Sequence, residues 1–259
     1  MKIDLPSSWT WAKCSEVIDV RDGTHDTPKY VSSGYPLITS KNLKPEGIDF
    51  SELSYISEKD HYEISKRSKV DKGDILLAMI GTIGNPVIVN TEQEFSIKNV
   101  ALFKLAKSYI DTKYFKYLLK TPIVIRQLNC ETRGGTQKFV SLKVLRNMII
   151  PFPPLEEQKR IAAILDKADS IRRKRKDAIA LTEELLRSTF LDMFGDPVTN
   201  PKGWEIVKLG SQIEELKYGT NSKCSNIQRK EDIPVLRIPN IVGDQLCWDE
   251  LKYTKLESK

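Results

Sequence analysis

Histidine is almost missing from this chain: among 259 residues only His25 and His61 carry an imidazole, so acid–base and metal chemistry have little to work with. The four cysteines, Cys14, Cys130, Cys224 and Cys247, show no Cys-x-x-Cys spacing, which argues against a zinc site and for reduced, partly buried thiols. No apolar run approaches the roughly 18 residues of a membrane span, and the segment Met1–Pro6 lacks one of signal-peptide length. A soluble, cytoplasmic protein with no membrane partner is expected. Catalytic fingerprints are lacking too. There is no Walker A loop and no dinucleotide Gly-x-Gly-x-x-Gly, and Asn85-Pro86-Val87 and Asp196-Pro197-Val198 lack the second proline and aromatic of an amino-methyltransferase tetrapeptide. Glu215-Leu216-Lys217 and Glu250-Leu251-Lys252 have the form of a nuclease Glu-x-Lys without its upstream Pro-Asp, and a chain with 29% charged residues produces such tripeptides by chance. The reading is of a chain with no catalytic residues, no metal and no cofactor of its own.

What is present is a long helix. Pro151, Pro153 and Pro154 suit a helix entrance, and Glu156 and Glu157 place negative charge where the helix dipole favours it. No Pro or Gly then interrupts until Gly195, with Pro197 just beyond. About 40 residues at about 1.5 Å each make a rod on the order of 60 Å long. Ile161, Ile164, Leu165, Ala168 and Ile171 recur at spacings of three and four, and the stripe resumes at Ala178, Ile179, Leu185, Leu186 and Phe190. One face therefore calls for a partner helix, in an antiparallel or a dimeric coiled coil. Ile164, Ala168, Ile171, Ala178 and Leu185 are the helix-pairing candidates. Between the two halves of the stripe lies Arg172–Lys176, whose Arg175 falls in or beside the seam, where a charge can fix register at a cost in stability.

Net charge is +6, and the basic excess gathers at Lys41 to Lys44, Lys66 to Lys72 and the run within the helix, a distribution suited to a polyanion. Residues 1–153 read as a β-rich unit of mixed α and β structure. Short apolar or β-branched runs at 17–20, 36–38, 74–80, 86–89 and 100–105 should form one curved sheet or barrel. Residues 111–128 have helical spacing that Pro122 ends or kinks. The fold class is α+β, with this domain over 1–153, the spacer helix over 154–194 and an incomplete second domain over 195–259.

That last assignment rests on a repeat. Pro6, Trp9 and Lys13 return as Pro201, Trp204 and Lys208, an offset of 195. Pro36-Leu37-Ile38, Asn42 and Leu53-Ser54-Tyr55 return as Pro234-Val235-Leu236, Asn240 and Leu251-Lys252-Tyr253, an offset of 198. Matches in one order over this span define a repeat of a whole domain plus its helix, of which residues 195–259 begin a second copy. The chain is expected to be part of a longer two-copy protein, or a half-length variant that self-associates.

Three loops carry candidate chemistry. Glu131–Lys138 offers Arg133, Thr136, Gln137 and Lys138 around the Gly134-Gly135 hinge; Arg and Lys pair with guanine edges, Gln and Asn with adenine, and Thr or Lys with phosphate. Ser40–Lys44 has the same vocabulary in Lys41 and Asn42, and the loop Arg21–His25 is expected to join it. Gly81-Thr82-Ile83-Gly84 follows a strand and lets backbone approach a phosphate. It also has the form of the clamp of an RNA-binding KH module, but strand residues follow where that module has a helix. A solvated loop or an ordinary β-turn is the plain alternative for each.

Ile150-Pro151-Phe152-Pro153-Pro154-Leu155-Glu156-Glu157-Gln158, then Phe190-Leu191-Asp192-Met193-Phe194-Gly195-Asp196-Pro197 and the Trp204 restart, resemble the specificity (S) subunit of type I restriction-modification systems. Gly73-Asp74-Ile75-Leu76, Gly81–Gly84 and Gly134–Lys138 resemble that family's target recognition domain. The resemblance implies a non-catalytic subunit that reads double-stranded DNA with two target recognition domains, one for each half of a split site. It implies two spacer helices that pair as an antiparallel coiled coil and dock methyltransferase (M) subunits, which carry S-adenosylmethionine and the chemistry, with a restriction (R) subunit joining. Carried over position by position, the DNA-contact candidates are Lys41, Asn42, Thr82, Arg133, Thr136, Gln137 and Lys138. This chain departs from the pattern in holding one recognition domain, one helix and the start of a second domain, so a homodimer through the long helix is a further expectation. The rival expectations are a structural coiled-coil adaptor for an acidic protein and the specificity segment of a fused restriction-methylation enzyme.

Overall fold

The computed structural model describes residues 5–81, 83–106, 108–130, 139–215, 218–219, 222–243 and 245–255. The chain divides into two compact units, Met1–Leu185 and Leu186–Lys259.

The centre of the first unit is a four-stranded antiparallel sheet in the order Asp19–Asp22, Val100–Lys104, Ile75–Ala78, Gly84–Ile88. Its two middle strands are apolar through Ile-Leu-Leu-Ala and Val-Ala-Leu-Phe, up to the closing Lys104, because both faces of the sheet are covered there. Successive side chains alternate between faces. Ile75, Leu77, Ala101 and Phe103 enter a core with Phe115, Leu145 and Ile150, while Leu76, Ala78, Val100 and Leu102 enter a second core with Ile38, Leu43 and Ile97. That second core is shared with another four-stranded sheet, Ser96–Ile97, Tyr35–Ile38, Ser54–Ile56 and Tyr30–Val31. Strands as short as these belong to two sheets and several two-stranded ribbons, not to the single curved sheet or barrel expected from their spacing. Gly23 lies at the seam, where a Cβ would come within 2.2 Å of the Ile97 carbonyl oxygen.

The helical layer follows local chemistry. Ser57 caps Glu58–Ser68 by accepting from the Asp60 amide, and Asp111 caps Thr112–Leu118 by accepting from Tyr114. Pro122 divides the expected 111–128 helix into two, taking the first position of Pro122–Cys130, where its missing N–H costs nothing. The domain closes where it opened, since Thr10–Lys13 pairs antiparallel with Ile149–Phe152, register Thr10 to Phe152 and Lys13 to Ile149.

The long helix runs Leu155–Phe194, 40 residues, and ends at Gly195 with a positive φ of 79°. Its first turns are fastened to the domain. The Gln158 amide is fully buried, accepting from the Asp111 N–H (2.8 Å) and donating to the carbonyls of Pro153 (2.8 Å) and Tyr109 (3.2 Å). Asp166 accepts from Lys113 (2.6 Å) and Tyr117 (2.7 Å). From Ile171 to Phe194 every residue of the helix is exposed.

In the second unit Asp232–Val235 pairs with Lys252–Lys255, and Ile241–Val242 with Gln245–Leu246. The same arrangement occurs in the first unit, where Tyr35–Ile38 pairs with Ser54–Ile56 and Leu43–Lys44 with Gly47–Ile48. Pro234 faces Tyr253 as Pro36 faces Tyr55, so the sequence repeat is also a repeat of strand register.

Candidate nucleic-acid interface

Residues 39–44 form a tight turn because one side chain holds it from inside. The Thr39 N–H and hydroxyl both donate to Asn42 Oδ1 at 3.0 Å, and Asn42 Nδ2 donates to the carbonyls of Asp49 (3.1 Å) and Glu52 (3.0 Å). The Asp49 N–H returns to the Asn42 carbonyl at 2.7 Å. Asn42 is buried, and both its oxygen and its amide hydrogens are engaged. It therefore frames the loop and has nothing left to offer a base edge, a correction to its place among the DNA-contact candidates. Lys41 and Lys44, by contrast, are exposed on the turn that Asn42 builds.

The turn forms one wall of an open depression of about 990 Å³, lined also by Tyr30, Ser40, Asp49, Glu52, Lys98 and Asn99. Lys98 and Asn99 escaped the sequence reading. Their backbone is pinned between two loops, with Lys98 N–H donating to the Ile38 carbonyl (2.9 Å) and Asn99 N–H to the Thr24 carbonyl (3.1 Å). Asn99 takes a φ of 54°, and an Asn between the Ile97 and Val100 strand residues was the available turn signal. Behind it, His25 lies between Asp22 Oδ2 (2.9 Å) and Asn99 Oδ1 (3.0 Å), so the loop is tied to Asn99 while Thr24 and His25 line a separate depression with Glu63 and Arg67. Arg21 does not line the face either, being held by Asp19 (2.6 Å) and the Arg67 carbonyl (3.1 Å).

A further candidate loop borders the same turn. Asn85, at the end of the Gly81–Gly84 turn, donates to the Leu43 carbonyl at 2.7 Å. Ile80 forms an antiparallel bridge with Phe139, and the Val140 N–H donates to the Met79 carbonyl at 2.9 Å, so Phe139 and Val140 lie beside the strand that leads into that turn. Thr82, Arg133, Thr136, Gln137 and Lys138 themselves lie outside the described residues.

The charge of the depression is mixed. Three lysines, Lys41, Lys44 and Lys98, supply cations for phosphate or guanine; Asp49 and Glu52 supply carboxylates, which accept from cytosine N4. The Asp49 carboxyl is held below its usual range, first by the Ser51 hydroxyl and then by the Ser51 N–H, so it is ionised at neutral pH. Among the described residues no group of three His, Cys, Asp or Glu side chains is placed to hold a metal ion. His61 is structural: it is buried, stacked on Tyr35 at 3.9 Å and bonded to Ser96 Oγ at 2.9 Å, and burial depresses its pKa.

Residues 6–181 match the family model described as type I restriction modification DNA specificity domain. The chain belongs to this specificity family. Among specificity subunits it is 26% identical over 258 residues to the putative type I restriction enzyme MjaX subunit of Methanocaldococcus jannaschii, covering 90% of this chain and 60% of that one. It is 26% identical over 238 residues to the EcoBI subunit of Escherichia coli, covering 88% and 48%. The fold matches the HsdS subunit from Thermoanaerobacter tengcongensis with a TM-score of 0.54 at 23% identity, over 73% of this chain and 45% of that one. The chain thus spans about half to three fifths of the length of the specificity subunits it matches. Among the described residues no helix is long and apolar enough to cross a membrane.

The five helix-pairing candidates lie on the long helix, and all are exposed in this chain; Ile164 is 55% and Ile171 47% accessible. Arg172 and Arg173 both turn back to Asp169, at 2.8 and 3.0 Å.

Proposed function

We propose that the chain is a DNA-reading specificity subunit, in which the first unit reads one half of a bipartite double-stranded site through the face built on residues 39–44. The observation that carries this reading is that the Asn42-framed turn, Ile80 and Lys98-Asn99 line one open depression bearing Lys41, Lys44 and Lys98, with Asn85 bonded to the Leu43 carbonyl and Phe139 bridged to Ile80. Lys41 and Lys44 set register on the backbone, and the side chains of segment 131–138 supply base contacts, in keeping with the division of labour at such interfaces. Within this reading residues 1–153 are one target recognition domain, 154–194 the spacer helix and 195–259 the start of a second recognition domain. The chain itself does no chemistry. Methyltransferase subunits carrying S-adenosylmethionine dock on the spacer helix and modify adenine, and a restriction subunit completes the assembly. The assembly works in the cytoplasm.

Binding of the purified chain to double-stranded DNA, followed by fluorescence anisotropy across a salt series, tests the first step. Four to six phosphate contacts give a log-affinity slope of about −4 to −5 against log salt. Flat salt dependence would instead favour the adaptor reading, in which the basic run meets an acidic protein. Co-purification with methyltransferase subunits and mapping of methylated adenines across a genome tests the second step.

The exposed stripe at Ile164 and Ile171 supports a related reading, that two copies pair through their long helices and present two identical reading faces. Such a dimer reads a symmetric split site.

A further inference from the structure

The second unit rebuilds the Asn42 turn and changes what the turn displays. The Arg237 N–H donates to Asn240 Oδ1 (3.1 Å), and Asn240 Nδ2 donates to the carbonyls of Cys247 (3.2 Å) and Asp249 (3.0 Å). The Cys247 N–H returns to the Asn240 carbonyl at 2.7 Å, the same distance as from Asp49 to Asn42. Asn240 is buried, as Asn42 is. An offset of 198 therefore lays residues 237–242 and Cys247 on residues 39–44 and Asp49, while the second carbonyl partner, Asp249, stands one residue before the counterpart of Glu52.

This correspondence sorts the apolar residues of the second turn into two sets. Leu236 and Ile241 are 41% and 61% exposed in this unit, but they stand where Ile38 and Leu43 enter the core of the first unit, so the repeated framework accounts for their chemistry. Ile238, Pro239 and Val242 stand where Ser40, Lys41 and Lys44 line the depression, positions that packing leaves free. Ile238 is 88% and Val242 62% exposed. The same frame thus presents a hydroxyl and two cations in one copy and three apolar side chains in the other.

We infer that Ile238, Pro239 and Val242 form a second DNA-contact edge that takes thymine C5-methyl groups in the major groove. The inference rests on the DNA-reading function proposed above. An isoleucine and a valine gain nothing at a phosphate, and the thymine methyl is the apolar feature that a base edge displays in the major groove. Asn240 fixes the backbone beneath them, so little ordering entropy is lost on contact. The two copies divide the work: the first edge attracts the DNA backbone, and the second discriminates thymine while adding little to the salt dependence.

The test selects the tightest-binding duplex for the full chain from a random-sequence double-stranded DNA pool, then remakes it with uracil in place of thymine. Each methyl lost from an apolar contact weakens binding about fourfold, and two weaken it about fifteenfold. Exchanging the edge for that of the first copy, with Ile238→Ser, Pro239→Lys and Val242→Lys together, abolishes the thymine preference and steepens the salt slope by about two. Should that triple variant fail to fold by circular dichroism, Ile238→Ser alone still lowers the thymine preference by about fourfold. Equal binding of the thymine and uracil duplexes by the unaltered chain, or a thymine preference that survives the exchange, overturns the inference and leaves the DNA-reading proposal standing. Absence of salt-sensitive DNA binding in the unaltered chain overturns both.

Discussion

Asn42→Ala separates framing from contact. The substitution removes the acceptor for the Thr39 N–H and hydroxyl and the donor for the Asp49 and Glu52 carbonyls. The Thr39 hydroxyl can turn to water, but one N–H and two carbonyls lose partners at a buried position. At about 1 kcal/mol for each bond lost, the turn is weakened by roughly 3 kcal/mol. Because the loss is local, it is read best by hydrogen–deuterium exchange of the Asp49 amide, which closes the turn on the Asn42 carbonyl. Roughly 3 kcal/mol is a little over a hundredfold in protection, at about 1.4 kcal/mol for each factor of ten. Asn240→Ala should do the same to the Cys247 amide. Lys41→Ala, on the exposed side of the same turn, should leave Asp49 protection unchanged and flatten the salt slope of DNA binding by about 0.9. Loss of protection below fivefold in Asn42→Ala, or an equal loss in Lys41→Ala, would show that the turn is held by its backbone and that the assignment of roles is wrong.

Replacing both Ile164 and Ile171 by Asp should abolish any self-association seen by light scattering; a dimer that survives would refute pairing through this stripe. Burial and then the hydrogen bond to Asp166 push Tyr117 up to about 12 from an ordinary 10.0, so the absorbance titration assigned to it should centre there and fall partway in Asp166→Asn, burial remaining. The helix root has a definite pH window. Burial pushes the Asp166 carboxyl up, but the Lys113 and Tyr117 hydrogen bonds outweigh it and leave its pKa depressed, so its contribution is present above about pH 4 and lost as pH falls through the folded value. Lys113 is raised, chiefly by its Asp166 hydrogen bond, so its contribution is present below about pH 10.4 and lost at higher pH. Protection factors of the amides near Asp166, taken against the intrinsic exchange rate at each pH, should therefore fall at both extremes and be flat between. Burial lifts the Cys14 thiol to about 12, so Cys14 should resist iodoacetamide in the folded chain while Cys224 and Cys247 react.

The long helix was legible because its ends are punctuated by residues with no conformational choice, three prolines before and Gly195 after, and nothing between them interrupts. The repeat was legible for a different reason: a buried Asn whose side chain meets four partners at Asn42 and three at Asn240 is hard to replace, so the two mark the same place in both copies. The function of that Asn was not legible. Its polarity suggests a base contact, and only the return of the chain at Asp49 and Glu52 shows that its hydrogen bonds are spent inside. The partition of short strands into two sheets depends on register, which alternation alone does not fix. The helix Glu58–Ser68 is almost wholly polar and gives no apolar stripe, although Ser57 with Asp60 three residues on was a capping signal. Asn99 carried a local turn signal, but Lys98 and Asn99 acquire their place on this face from strand pairing on either side, a long-range effect.

The pairing of Thr10 with Phe152 means that the polypeptide enters and leaves its first domain side by side. A module whose two ends share one ribbon can be exchanged for another of different surface at a single seam, without lengthening or re-aiming the rod that follows. Gene rearrangements that swap everything between those two strands would meet their structural constraint at the helix root, since Asp111 and Tyr109, which hold Gln158, and Lys113 and Tyr117, which hold Asp166, belong to the exchanged part and the helix to the part retained.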